Sequence, residues 1–164
     1  MSTPQNERMR SRLDYPKVAP EAYMAMRGLE AYVRQCGLES SLIELVKIRA
    51  SQLNGCAYCI DMHTKDARAR GETEQRIYAL SAWRETPFFT ERERAALEWT
   101  EVVTLVAEGP IEGEDYEDVR EQFDEKALVD LTLAIVAING WNRLSVAFAT
   151  VPGSYRPQEP ASSR

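Results

Sequence analysis

The sequence predicts an all-α fold, six or seven helices in one bundle-like domain. Apolar residues recur at helical spacing from Pro20 to about residue 149. Gly, Pro and Asn fall between those stretches as punctuation. No stretch shows the period-two alternation of a half-buried strand. At 164 residues the chain is long enough to bury a real core within a single domain.

Residues 1–19 read as a polar arm, 20–150 as the helical domain, and 151–164 as a Pro/Ser-rich tail expected to fray. A first helix over 21–35 carries Tyr23, Met24, Met26, Leu29, Tyr32 and Val33, and Gly37 ends it. A second spans 42–53 and is broken by Asn54-Gly55, residues that take the left-handed conformation easily. A third starts near Cys56 and stops before Gly71. A fourth covers 74–83, since the residue before Pro87 is biased away from helix. Thr90 to Glu93 matches a capping box and opens a fifth helix, to about residue 107. Gly109-Pro110 is punctuation, and 114–122 is a short acidic helix.

The last helix, over 124–149, is apolar on nearly every side, with Gly140 a candidate kink. Such a helix is either central or covered by another subunit. We expect a homo-oligomer.

Composition excludes several classes. Hydrophobic residues make up 44% and charged residues 28%, as in ordinary globular proteins. A net charge of −6 with no basic cluster argues against nucleic acid or anionic lipid as partner. No apolar run approaches the roughly 20 residues that cross a bilayer, so no membrane partner is expected. Residues 1–15 lack the apolar stretch of a secretory signal, and a cytoplasmic location is the expectation. There, a close Cys pair points to catalysis or metal binding more than to a structural disulfide. No P-loop and no Gly-x-Ser-x-Gly elbow is present. The acidic run 112–117 reads as a solvated face, and Trp83, Trp99 and Trp141 as core or interface.

The chemistry concentrates at Cys56-Ala-Tyr-Cys59-Ile-Asp-Met-His63, which holds two of three cysteines and the sole histidine. Cys56, Cys59, Ile60, His63 and Ala67 form one helical stripe. A thiol at a helix start is favoured as thiolate, the species that attacks a peroxide or a disulfide. Once one Cys becomes a sulfenic acid, its neighbour condenses with it and releases water. His63 can hold the proton that leaves a thiol and reaches the departing oxygen. Helix-end position favours Cys56 as the attacking thiol, and nearness to His63 favours Cys59. Glu44, on the preceding helix, could orient the ring. It also completes a capping box with Ser41, a purely local role. Two Cys, one His and one carboxylate would also make a tetrahedral zinc set in a helical assembly protein. Cys36 stands apart and reads as a buried, unreactive thiol.

The block from Glu44 through Cys56-x-x-Cys59 to His63 resembles the core of the alkylhydroperoxidase AhpD family, within the carboxymuconolactone decarboxylase-like superfamily. The shared pattern is a Glu, eleven residues, Cys-x-x-Cys, three residues and His. Gly71-Glu72, residues 82–86 and residues 93–97 are similar to its single-domain branch. The resemblance covers residues 20–150. It implies a peroxidase without cofactor or metal that reduces hydroperoxides, organic ones foremost. Cys56 and Cys59 would be its redox pair, and Glu44 with His63 its proton relay. It also implies a thiol or dithiol reductant and a trimer or hexamer. One position departs: the best-known members carry His before the second Cys, and here Tyr58 stands there. A phenol does not titrate near neutral pH. That motivates a second reading, a general dithiol–disulfide oxidoreductase with little peroxidase activity.

Overall fold

The computed structural model describes residues 10–157. The chain forms α1 (Tyr15–Val18), α2 (Pro20–Gln35), α3 (Ser40–Leu53), α4 (Ala57–Ala69) and α5 (Glu74–Ala79). A 3-10 segment over Leu80–Glu85 follows, then α6 (Glu91–Thr104), α7 (Gly113–Gln122) and α8 (Glu125–Ala147). Among the described residues there is no strand. Among the described residues the α-helices number eight, one or two more than the sequence suggested. The unforeseen helix is α1, a single turn with Pro16 near its start, too short for periodicity to reveal. It is held from outside: Tyr15 packs on Tyr23 and Phe148. Ser11 and Arg12 bond the carbonyls that end α8.

Helices α3 and α8 form the centre. Nine of the fourteen residues of α3 are buried, because α4, α6 and α8 all pack on it. Helix α8 lies against α2, α3, α4, α6 and α7, and buries Leu131, Ala134, Ile135 and Ile138 completely or nearly so. The central position accounts for much of its apolar surplus. Val129 and Val136, two turns apart on α8, remain exposed nonetheless. Gly140 does not kink the helix, which runs unbroken to Ala147. A Cβ there would come within 2.8 Å of Met26 Cε, so the glycine serves the close approach of α2.

Caps behave largely as the residue types require. Thr90 Oγ1 accepts from Glu93 N–H at 3.2 Å, and Thr90 N–H donates to Glu93 Oε2 at 2.8 Å. Helix α6 ends at Thr104, a turn sooner than its apolar pattern implied. The fourth predicted helix tightens into the 3-10 segment at Leu80. Residues 152–157 do not fray. Gly153 N–H donates to Asp61 Oδ2 at 3.0 Å, and Tyr155 O–H donates to Asp66 Oδ1 at 2.8 Å, pinning this stretch along α4. Residues 158–164 and 1–9 lie outside the described chain.

Candidate active site

Helix α4 begins where α3 ends, and the turn between them sets the site. Gly55 takes φ +63°, a left-handed value that a residue without Cβ adopts at little cost. Asn54 ties this turn to α8. Its Nδ2 donates to Asn139 Oδ1 at 3.0 Å and to Asn142 Oδ1 at 2.9 Å. Asn142 in turn donates to Ser51 Oγ at 3.0 Å. The chain thereby reverses, and α4 returns along α3.

Cys56 is the N-cap of α4, and its Sγ accepts from Cys59 N–H at 3.4 Å. Both thiols are free and buried, 1% and 3% exposed. The hydrogen bond from the Cys59 thiol, more than compensating burial, lowers the Cys56 thiol to about 7. The same bond and burial push the Cys59 thiol up. Cys59 Sγ also lies 3.9 Å from Ser145 Oγ on α8. Of the two thiols, Cys56 is the one that ionises more readily.

His63, one turn beyond Cys59, is buried, and its Nδ1 meets Glu44 Oε2 at 2.8 Å. Glu44 lies one turn inside α3, whose N-cap is Glu39, so the capping box with Ser41 does not form. Its other oxygen accepts from Arg70 at 2.6 Å. Burial pushes the Glu44 carboxyl up. The bond to His63 and the charges of His63, Lys47 and Arg70 outweigh it, and the net shift is downward. Glu44 is therefore ionised at neutral pH. It can fix the ring with Nδ1–H toward itself and leave Nε2 for chemistry.

A cavity of about 130 Å³ opens onto these groups. Cys59 and His63 line it, with Tyr15, Tyr58, Trp141 and Ser145 among the walls, while Cys56 does not reach it. Burial, aided by the neighbouring Cys59, pushes the Tyr58 phenol up, so it stays an O–H donor at neutral pH. At the cavity wall Glu30 forms a buried ion pair with Lys47 through Oε1, and its Oε2 has no hydrogen-bond partner among the described residues.

The four residues singled out from sequence do come together, although not as a zinc set. Among the described residues, the ligand atoms within 4.8 Å of one another belong to Glu44, His63 and Asp66, and neither thiol joins them. Cys36 is half-buried, not buried, and its thiol donates to Val33 O at 3.1 Å. Sequence reasoning missed Arg70, Asn142, Ser145 and the cavity-facing role of Trp141. It also missed Glu30, although a signal existed: Glu30 lies four residues after Met26 and three before Val33, on the apolar stripe of α2.

A Cys-x-x-Cys pair in a βαβ unit would suggest a thioredoxin-like protein. Here every element around the pair is helical, which defines a different class, the all-helical dithiol proteins. Comparison with known proteins narrows the class. Residues 18–102 match the Carboxymuconolactone decarboxylase family, and the chain belongs to that family, among its AhpD-like members. It is 50% identical over 139 residues to the uncharacterized protein YdfG of Bacillus subtilis (strain 168), across 85% of this chain and 95% of that one. The crystal structure of ATU0492 from Agrobacterium tumefaciens superimposes with a TM-score of 0.84 at 45% identity, covering 92% of this chain and all of that one. That protein is described as of unknown function and as a candidate antioxidant defence protein AhpD. An alkylhydroperoxidase AhpD core protein from Ralstonia eutropha JMP134 shares the fold at 18% identity, with a TM-score of 0.75 over 85% of this chain and 74% of that one. No helix among the described residues is long and apolar enough to cross a membrane.

Proposed function

We propose that the protein is a thiol-dependent peroxidase that reduces organic hydroperoxides through a Cys56–Cys59 dithiol/disulfide cycle. The observation that carries the reading is that Cys59 and His63 line one cavity while Cys56 lies buried next to Cys59, its Sγ accepting from Cys59 N–H at 3.4 Å. A peroxide entering the cavity meets Cys59 first. His63 Nε2 takes the Cys59 proton, and the sulfur attacks the distal oxygen of ROOH. The O–O bond breaks, and the alkoxide leaves as ROH with the proton from His63. Cys59 is now a sulfenic acid. The Cys56 thiolate attacks its sulfur, the S–O bond breaks, and hydroxide leaves as water after taking a proton from solvent. An external dithiol then reduces the disulfide by exchange and is itself oxidised.

Adding one equivalent of cumene hydroperoxide to the reduced protein should consume two free thiols and form a Cys56–Cys59 disulfide within the chain, read by mass mapping. Dithiothreitol should reverse it. Thiols left intact by peroxide, but oxidised by a disulfide such as oxidised glutathione, would favour the second reading, a general dithiol–disulfide oxidoreductase. Tyr58 at the wall supports that alternative, because it offers a hydroxyl and no base that titrates near neutral pH.

The exposed Val129 and Val136 on α8 support assembly with further copies. We expect light scattering to give a trimer or hexamer, and charged Val136→Glu to shift it to smaller species. A monomer at all concentrations would remove the assembly.

A further inference from the structure

We infer that the opening above Cys59 recognises an anionic group, so that the preferred substrates are organic hydroperoxides carrying a carboxylate. This rests on the peroxidase reading above and specifies its substrate class. The cavity adjoins a larger recess of about 460 Å³, and Tyr23, Arg27, Arg34, Tyr58 and Met62 belong to both. Arg70 and Arg156 complete the recess, against Asp66 as its one acidic wall residue. Four guanidinium groups at one mouth run against the net charge of −6.

The availability of these cations matters more than their number. Arg70 is committed to Glu44. Arg34 reaches Glu30 through Nε at 3.5 Å, and among the described residues its guanidinium makes no hydrogen bond, which leaves its terminal nitrogens for another acceptor. Among the described residues, the Arg27 guanidinium bonds the Tyr23 hydroxyl at 3.3 Å, and Arg156 bonds the backbone carbonyls of Gly153 and Tyr155. Arg27 and Arg34 are seven residues apart on α2 and so share a face, above the cavity. The acids deeper in, Glu30 and Glu44, are buried and already hold their own cations. Tyr15, Met62 and Trp141 meanwhile offer apolar walls inside. The shape fits a ligand with an apolar body within and a carboxylate at the arginines, where a planar fork binds bidentately.

The test pairs two measurements. Turnover compares kcat/KM for cumene hydroperoxide and its para-carboxylate. Binding compares octanoate with octanol through tryptophan fluorescence, since Trp141 lines the cavity. We expect the anionic partner of each pair to be favoured by about tenfold at low salt. The preference should fall toward one at about 0.5 M salt, where screening is strong. Arg27→Gln and Arg34→Gln should each reduce the ratio of anionic to neutral; Arg27 is exposed, so at least that variant should fold. Equal values within both pairs, or a preference that both variants and salt leave untouched, would overturn the inference. Octanoate binding tightly with no peroxide turnover would retain the anion site and remove the peroxidase. Equal turnover of both peroxides with no octanoate preference would do the reverse.

Discussion

Replacing Cys59 by Ser should lower peroxide turnover by at least about a thousandfold, the scale seen when a nucleophile is removed from a catalytic set. The substitution exchanges one small side chain for another at a site 3% exposed, so the fold should survive. What disappears is the sulfur that faces the cavity. Cys56→Ser should behave differently. Cys59 can still be oxidised once, but nothing stands behind it to condense with the sulfenic acid. That variant should consume about one equivalent of hydroperoxide and stop, with the sulfenic acid on Cys59 trapped by dimedone. Reversed behaviour, with Cys59→Ser giving the single turnover, would make Cys56 the attacking thiol. The wild-type resolving step should also depend on pH. The Cys56 thiol is lowered to about 7 by the hydrogen bond from Cys59, so its thiolate fraction rises as pH climbs through that value and then levels off. Disulfide closure measured by stopped flow should follow the same rise. Closure that slows with increasing pH would contradict the assigned roles.

His63→Gln should be the second large loss, about 10²- to 10⁴-fold in kcat/KM, the usual reach of general acid–base catalysis. The ring neighbours Cys59 by one helical turn and is the sole imidazole in the chain. Glu44 acts through that ring and is a positioning residue. Glu44→Gln keeps an oxygen near Nδ1 but removes the charge that holds the tautomer and faces Arg70. A smaller loss is expected there, with the pH at which Cys59 becomes alkylatable moving as well. Two residues acting as one unit give non-additive losses. The double variant should therefore be little worse than His63→Gln alone. Full additivity, or a His63→Gln enzyme within about twofold of wild type, would break the relay.

The fold was largely legible, and particular elements show why. Thr90 and Glu93 announce α6 because a capping box is made by residues three apart. The stripe from Cys56 to Ala67 is legible because 3.6-residue periodicity is a local property. The turn α1 was not, because four residues carry no period, and its anchors on Phe148 come from the far end of the chain. The residues near 152–157 misled for a similar reason. Pro and Ser predict a loose tail, but Asp61 and Asp66 supply partners that sequence proximity cannot reveal.

The candidate site divides in the same way. By itself the sequence determined that Cys59 and His63 share one helix face, since that follows from spacing within a single element, whereas Cys56 stands at the N-cap and does not reach the cavity. The sequence left Glu44 between a cap and a partner for His63. Tertiary structure decided for the ring, because the Asn54-Gly55 turn folds α4 onto α3 and brings together residues nineteen apart. Only the structure brought Ser145, Asn142 and Trp141 to the thiols and the cavity, and only it set which sulfur faces that cavity. Local periodicity is written in neighbouring residues, whereas the register of one helix against another emerges from packing the whole core at once.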